Sequence, residues 1–168
     1  MKHTISVLVE NQFGVLARIS GLFSGRGFNI DSLSVGETED TTISRITLVV
    51  TGDDAIIEQI MKQLNKLVDV IKVNDLTEDE FIDRELALIK VKSDGKTRSE
   101  IMQIADIFRG KIVDVAPRSL TVEVTGTEDK VQGMLELLRD FGIKEVVRSG
   151  KIAISRDTKA SPPRQKGT

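Results

Sequence analysis

The chain contains no cysteine, tyrosine or tryptophan, and its one histidine, His3, stands third in the sequence. Thiolate nucleophiles, thiolate metal sites and disulfides are thereby excluded, and a Ser-His-Asp triad would have to rest on that one residue. His3 precedes the first apolar run and is expected to be solvated. A preponderance of one charge is missing too. Against 26 acidic residues stand 24 basic ones, a formal net charge of −2, so no global field draws the chain to nucleic acid or to an anionic membrane. Six phenylalanines are the only aromatic residues, too few for the stacking face of an RNA-binding sheet. No apolar run approaches the ~20 residues that span a bilayer. The opening MKHTISVLVENQ also lacks the apolar core of a secretory signal. A soluble, cytoplasmic protein is expected.

What is present is a six-element pattern written twice. Residues 4–10 (TISVLVE) are β-branched and apolar and end at Asn11 and Gly14, which predicts a buried strand and a turn. Leu16, Ile19, Leu22 and Phe23 then recur at helical spacing, and the glycines of SGRG at 24–27 are suited to the positive φ of a helix C-cap. A strand from Asn29 to about Gly36 follows. In the next strand Ile46, Leu48 and Val50 alternate with Arg45, Thr47 and Val49, so one face should be the better buried. Asp53 or Asp54 is placed to cap a helix with the stripe Ile57, Ile60, Met61 and Leu64, and 68–73 (VDVIKV) makes the sixth element.

After an acidic connector (77–84) the order restarts. A strand is predicted over 86–92, then a capping box of Thr97 and Glu100 opening a helix that Gly110 terminates. Strands at about 111–115 and 119–125, a helix from Thr127, and one strand within 143–154 complete the second set. The spacing predicts an α+β protein of two ferredoxin-like βαββαβ domains, over 1–76 and 85–155. The tail 156–168 is basic, has two prolines and almost no apolar mass, and is expected to be disordered.

Most candidate chemistry dissolves into turn duty. Gly95-Lys96-Thr97 resembles the end of a P-loop, but that pattern needs glycine where Lys90 stands. The pairs Glu39-Asp40 and Asp53-Asp54 lack the spacing of a cation-binding loop. No metal site and no catalytic residue is expected.

One constellation is more informative: Asn11-Gln12-Phe13-Gly14-Val15-Leu16 at the first turn, with Phe28-Asn29-Ile30 at the start of the second strand. In a sheet of order 4-1-3-2 that second strand is an edge, suited to pairing with a second copy across a two-fold axis. Such pairing brings the first turn of one copy near the second strand of the other. The cleft suits an amino acid, because helix N-terminal N–H groups hold a carboxylate, Gly14 permits close approach, and asparagine amides serve both carboxylate and ammonium.

The run Asn11-x-x-Gly14-x-Leu16-x-x-Ile19 with Asn29-Ile30 resembles the signature of an ACT domain, a small-molecule regulatory module. From Ile5 to about Ser155 the chain resembles the regulatory (small) subunits of acetolactate synthase, also called acetohydroxyacid synthase. The segments 29–36 (NIDSLSVG), 44–50 (SRITLVV), 63–73 (QLNKLVDVIKV), 84–92 (RELALIKVK) and 107–117 (IFRGKIVDVAP) carry that likeness.

The resemblance implies a non-catalytic homodimer, joined through its ACT domains, that activates the acetolactate synthase catalytic (large) subunit. It implies feedback inhibition of branched-chain amino-acid synthesis by valine or a related amino acid. No cofactor is expected on this chain, whereas thiamin diphosphate, magnesium and FAD are expected on the catalytic partner. Carried over residue by residue, the valine site falls on Asn11, Gly14, Val15 (through its backbone), Leu16, Asn29 and Ile30. Phe13 is bulky enough to narrow or cover the pocket. The second domain's corresponding turn, Ser93-Asp94-Gly95-Lys96, lacks the asparagine–glycine pair, so no equivalent valine site is expected there. The alternative is a tandem ACT-type amino-acid sensor acting on a different metabolic or transcriptional partner.

Overall fold

The computed structural model describes residues 1–26 and 28–157. The first unit comprises β1 (Lys2–Glu10), α1 (Val15–Gly25), β2 (Ile30–Glu37), β3 (Ile43–Thr51), α2 (Asp54–Asn65) and β4 (Val70–Asp75). Its antiparallel sheet runs β2-β3-β1-β4, which leaves β2 at an edge as the pattern predicts. Ile5, Val7 and Val9 of β1, with Ile46, Leu48 and Val50 of β3, face the helices and meet Ile19, Phe23, Ile60 and Leu64. Period-2 and period-3.6 apolar stripes thus close on one core. Asp53 caps α2, its Oδ1 accepting from Ile56 N at 2.9 Å.

The second unit repeats the order: β5 (Phe81–Lys92), α3 (Arg98–Ile107), β6 (Lys111–Ala116), β7 (Ser119–Gly126), α4 (Glu128–Arg139) and β8 (Ile143–Arg148), followed by β9 (Ile152–Ser155). Its sheet runs β6-β7-β5-β8 around a separate core that includes Ile89, Ile101, Val122, Met134 and Leu138.

Several expectations are corrected. The strand expected within 143–154 is two strands, broken at Gly150 with φ +82°; β8 pairs with Ala87–Val91, and β9 pairs with Phe81–Arg84. Half of the acidic connector is therefore strand, since β5 begins at Phe81. The groove between this β5–β9 ribbon and the first sheet is lined by Ser34, Arg45 and Thr47 on one side and by Arg84 and Ala153 on the other. With the ribbon there, both faces of β3 are buried, Thr47 and Val49 as well as Ile46 and Leu48.

The capping box at α3 does not form. Thr97 makes no side-chain cap, and Asp94 Oδ1 instead accepts from Lys96 N at 2.8 Å and Thr97 N at 2.9 Å. Those backbone bonds lead the causes that hold the Asp94 carboxyl below its ordinary value. Helix α3 ends with Arg109, not glycine, in the left-handed conformation at φ +54°. Its N–H donates to Asp106 O at 3.0 Å while Gly110 N donates to Ala105 O at 2.7 Å, the paired bonds of a Schellman end. Gly110 is needed for closeness, because a Cβ there would lie 3.0 Å from Glu123 O. At the end of α1, Gly25 lies inside the helix and Arg26 is the C-cap, without positive φ; Gly27 is outside the described residues. The tail expected to be disordered is likewise outside them from residue 158 onward, and Arg156 N donates to Glu80 O at 2.8 Å.

Candidate functional site

Beyond the end of β1, Gly14 takes φ +82° and forms the N-cap of α1. Glycine adopts that conformation freely, and asparagine and aspartate are the side-chain-bearing residues that tolerate it best. The cap supplies no side-chain hydrogen bond. Helix geometry therefore leaves the N–H groups of Val15, Leu16 and Ala17 without intrahelical partners, at the positive end of the helix dipole. Val15 is buried in the core at 5% exposure, which leaves its backbone as the part that could face a ligand. Leu16, at 42% exposure, presents its side chain outward.

Asn11 is held beside this turn. Its N–H donates to Thr42 O at 2.7 Å, and its Nδ2 donates to Glu37 Oε1 at 3.1 Å and to Thr41 O at 3.0 Å. The amide oxygen remains available to accept from an ammonium, and the Glu37 carboxylate adds negative charge on the same side. A zwitterion fits that polarity, with its carboxylate toward the first turn of α1 and its ammonium toward Asn11 and Glu37. Arg18 braces the turn: Nη1 is 2.7 Å from Asp69 Oδ2, and Nε donates to Gly14 O at 3.4 Å. Glu37, Thr41 and Arg18 were not among the sequence candidates. Arg18, four residues after Gly14, lies one helical turn on and was open to inference from that spacing; Glu37 and Thr41 reach the site only through strand register.

Asn29 and Ile30 are not brought to this turn within one chain. Strands β1 and β2 are parallel to each other across β3, and Ile30 pairs with Val50 at the far end of the sheet from Glu37 and Asn11. Seven residue steps of strand take the chain from Ile30 to Glu37, roughly 23 Å at ~3.3 Å per step. Phe13 is fully exposed in the single chain and, with Asn11 and Gln12, lines an open hollow on the surface.

His3 corrects another expectation. It is buried, at 4% exposure, and its Nδ1 lies 3.0 Å from Asp75 Oδ2 while Nε2 has no partner among the described residues. Burial opposes ionisation of Asp75. The hydroxyl and N–H of Thr77 and the His3 ring together outweigh it, and the carboxyl sits below its ordinary value. The P-loop lookalike is excluded by occupancy, since Asp94 already fills the amide nest of Lys96 and Thr97. Among the described residues, no group of three or more His, Cys, Asp or Glu side chains is placed to hold a metal ion, and no helix is long and apolar enough to cross a membrane.

Residues 5–72 match a family model described as an AHAS small subunit-like ACT domain, and 84–157 match one described as the small subunit of acetolactate synthase. The acetolactate synthase small subunit of Aquifex aeolicus is 55% identical over 157 residues, 93% of this chain and 82% of that one. A probable acetolactate synthase small subunit of Archaeoglobus fulgidus is 55% identical over 95% of this chain and 99% of its own. The crystal structure of the Thermotoga maritima small subunit superposes with a TM-score of 0.87 at 42% identity, covering 95% of this chain and 99% of that chain.

Proposed function

From a chain that belongs to the acetolactate synthase small-subunit family, we propose a regulatory subunit that activates the thiamin-diphosphate catalytic subunit and confers feedback inhibition by valine. The observation that carries the effector site is the position of β2. Asn11, Gly14 and Leu16 lie at one end of the first sheet and Asn29 and Ile30 at the other, yet β2 is an unpaired edge. Antiparallel pairing of β2 with a second copy reverses the strand. It sets Asn29 and Ile30 of the partner subunit beside the Asn11–Leu16 turn, so each dimer builds two composite pockets.

Within such a pocket the α1 N-terminus takes the ligand carboxylate, Asn11 and Glu37 face its ammonium, and Leu16 and the partner subunit's Ile30 contact an aliphatic side chain. Inhibition follows if valine binds more tightly to the form of the complex in which the catalytic subunit is less active. The chain's part is regulation and not catalysis, in the cytoplasm, with the chemistry left to cofactors on the large subunit.

Calorimetric titration with valine, leucine, isoleucine and glycine tests this reading, first on the chain alone and then with the catalytic subunit. Saturable heat preferring valine, with activation and valine inhibition in the complex, is the expected result. No valine uptake in either setting would refute the site, and failure to co-purify with a thiamin-diphosphate enzyme would favour a sensor with a different partner.

A further inference from the structure

The two units meet in close contact at β2. Gly150, between β8 and β9, takes φ +82°, and a Cβ there would lie 2.7 Å from Ser34 Oγ, 3.0 Å from Ser32 Oγ and 3.1 Å from Leu33 O. Only glycine leaves room for this contact. Two hydrogen bonds fasten it: Lys151 N donates to Ser32 Oγ and Ser34 Oγ donates to Ser149 O, each at 3.0 Å. Ser149 is itself tied into the second unit, its N–H donating to Leu86 O at 2.9 Å while its Oγ accepts from Leu86 N at 3.0 Å. Lys151, 3.6 Å from both Asp83 and Glu128, is paired within the second unit, and across the seam the exposed Lys2 Nζ lies 2.7 Å from Glu128 Oε1. Exposed pairs of this kind hold little on their own.

Strand β2 is suited to respond to a ligand. It is hydrogen-bonded on one side only, and its register with β3 shifts between Ile30 and Ser32. Ile30, assigned above to the effector pocket, stands two residues from the first clamp. The side chains of Ser32 and Ser34 point to the sheet face opposite Leu33, toward the second unit. Because the corner at Gly150 has no slack, a shift of Ser32 carries Ser149 and Lys151 with it, and through Leu86 it reaches β5 and the second sheet.

We infer that Ser32, Ser34 and Gly150 relay occupancy of the effector pocket from the first unit to the second. The relay rests on the effector reading above. It operates if the ligand favours one placement of β2 over another, so that the second unit feels the same difference.

The test uses the full chain, alone and in complex with the catalytic subunit. Ser32→Ala/Ser34→Ala removes both bonds and leaves Gly150 and the pocket residues in place. Calorimetry should show valine binding within about twofold of the parent and activation without valine unchanged. The valine concentration for half-inhibition should rise roughly tenfold. Gly150→Ala, which forces the corner apart, should give the same loss of inhibition with binding retained. Hydrogen exchange supplies a readout without the catalytic subunit: valine should slow exchange over residues 29–36 in both parent and double variant, but over 147–154 in the parent only. Inhibition of the double variant equal to that of the parent, or a parent whose 147–154 segment ignores bound valine, overturns the relay alone. Absence of valine binding to the parent, free or in complex, overturns the effector reading and the relay with it.

Discussion

At the residue scale the candidate pocket separates side chains that bind from side chains that hold the binders. Asn11 is exposed and contributes nothing to the core, so Asn11→Ala should leave the fold intact. Loss of its amide should weaken valine by ~1–3 kcal/mol, about tenfold or more, read by calorimetry against an unchanged melting curve. Gly14→Asp is predicted to go further. Aspartate tolerates the left-handed conformation, but its carboxylate would repel the ligand carboxylate. A subunit that activates the enzyme and ignores valine is the expected phenotype, checked by synthase assays with and without valine. His3 and Asp75 lie away from that pocket, toward the opposite end of β1, and serve the fold. Asp75 has its folded value depressed below the ordinary 3.8, so its contribution is fully present above that pH and is lost as pH falls through the lower folded value. Asp75→Asn should therefore flatten the acid limb of stability, measured as denaturation midpoints from pH 6 down to pH 2. The sequence concealed this pair because His3 and Asp75 are 72 residues apart and meet only through β1–β4 pairing.

At the element scale, legibility followed the periodicity. The stripes Ile5-Val7-Val9 and Ile57-Ile60-Leu64 each have one period and one core to face, and the structure places both on the helix–sheet interface. What stayed hidden were choices between near-equivalent local devices. Asp94 and Thr97 both cap readily, and a turn of residues 95–97 ahead of α3 gives the role to Asp94. Arg109 and Gly110 compete for the left-handed position, and tertiary contact decides it, because Gly110 must pass close to β7. Gly110→Ala should accordingly cost about 1–3 kcal/mol through overpacking against Glu123 O and Val122 Cγ1, seen as a lower melting temperature. The turn that carries the candidate site was legible at Gly14 and Asn11 for the opposite reason. An asparagine and a glycine three apart, just before a helical stripe, restrict the turn to few geometries. Glu37 at the end of β2 and Thr41 in the turn before β3 reach it from elsewhere in the chain, and no local spacing announces them.

At the scale of the whole molecule, the proposed dimer makes the edge of the first sheet the seam of assembly. Val35 lies near the middle of β2 and is 48% exposed in the single chain. A lysine on an edge strand discourages pairing, so Val35→Lys is expected to yield a folded monomer by sedimentation that has lost valine uptake together with its partner. If it remained a dimer, β2 would not be the seam. The duplicated βαββαβ order was legible from the repeated apolar pattern, while the ribbon of β5 and β9 was not, because the acidic residues around Phe81–Arg84 read as linker. That ribbon changes what it means to call the chain two domains. Only Leu76–Glu80 separates β4 from β5, and even this stretch is pinned, with Leu76 buried and its N–H bonded to Thr4 O. A protease probing for a slack tether between the halves would find none, and a gene split at the apparent boundary would yield a first half with a bared sheet face and a second half missing the opening of its longest strand. The two copies of the pattern keep separate cores and are joined by a connector that is itself pinned.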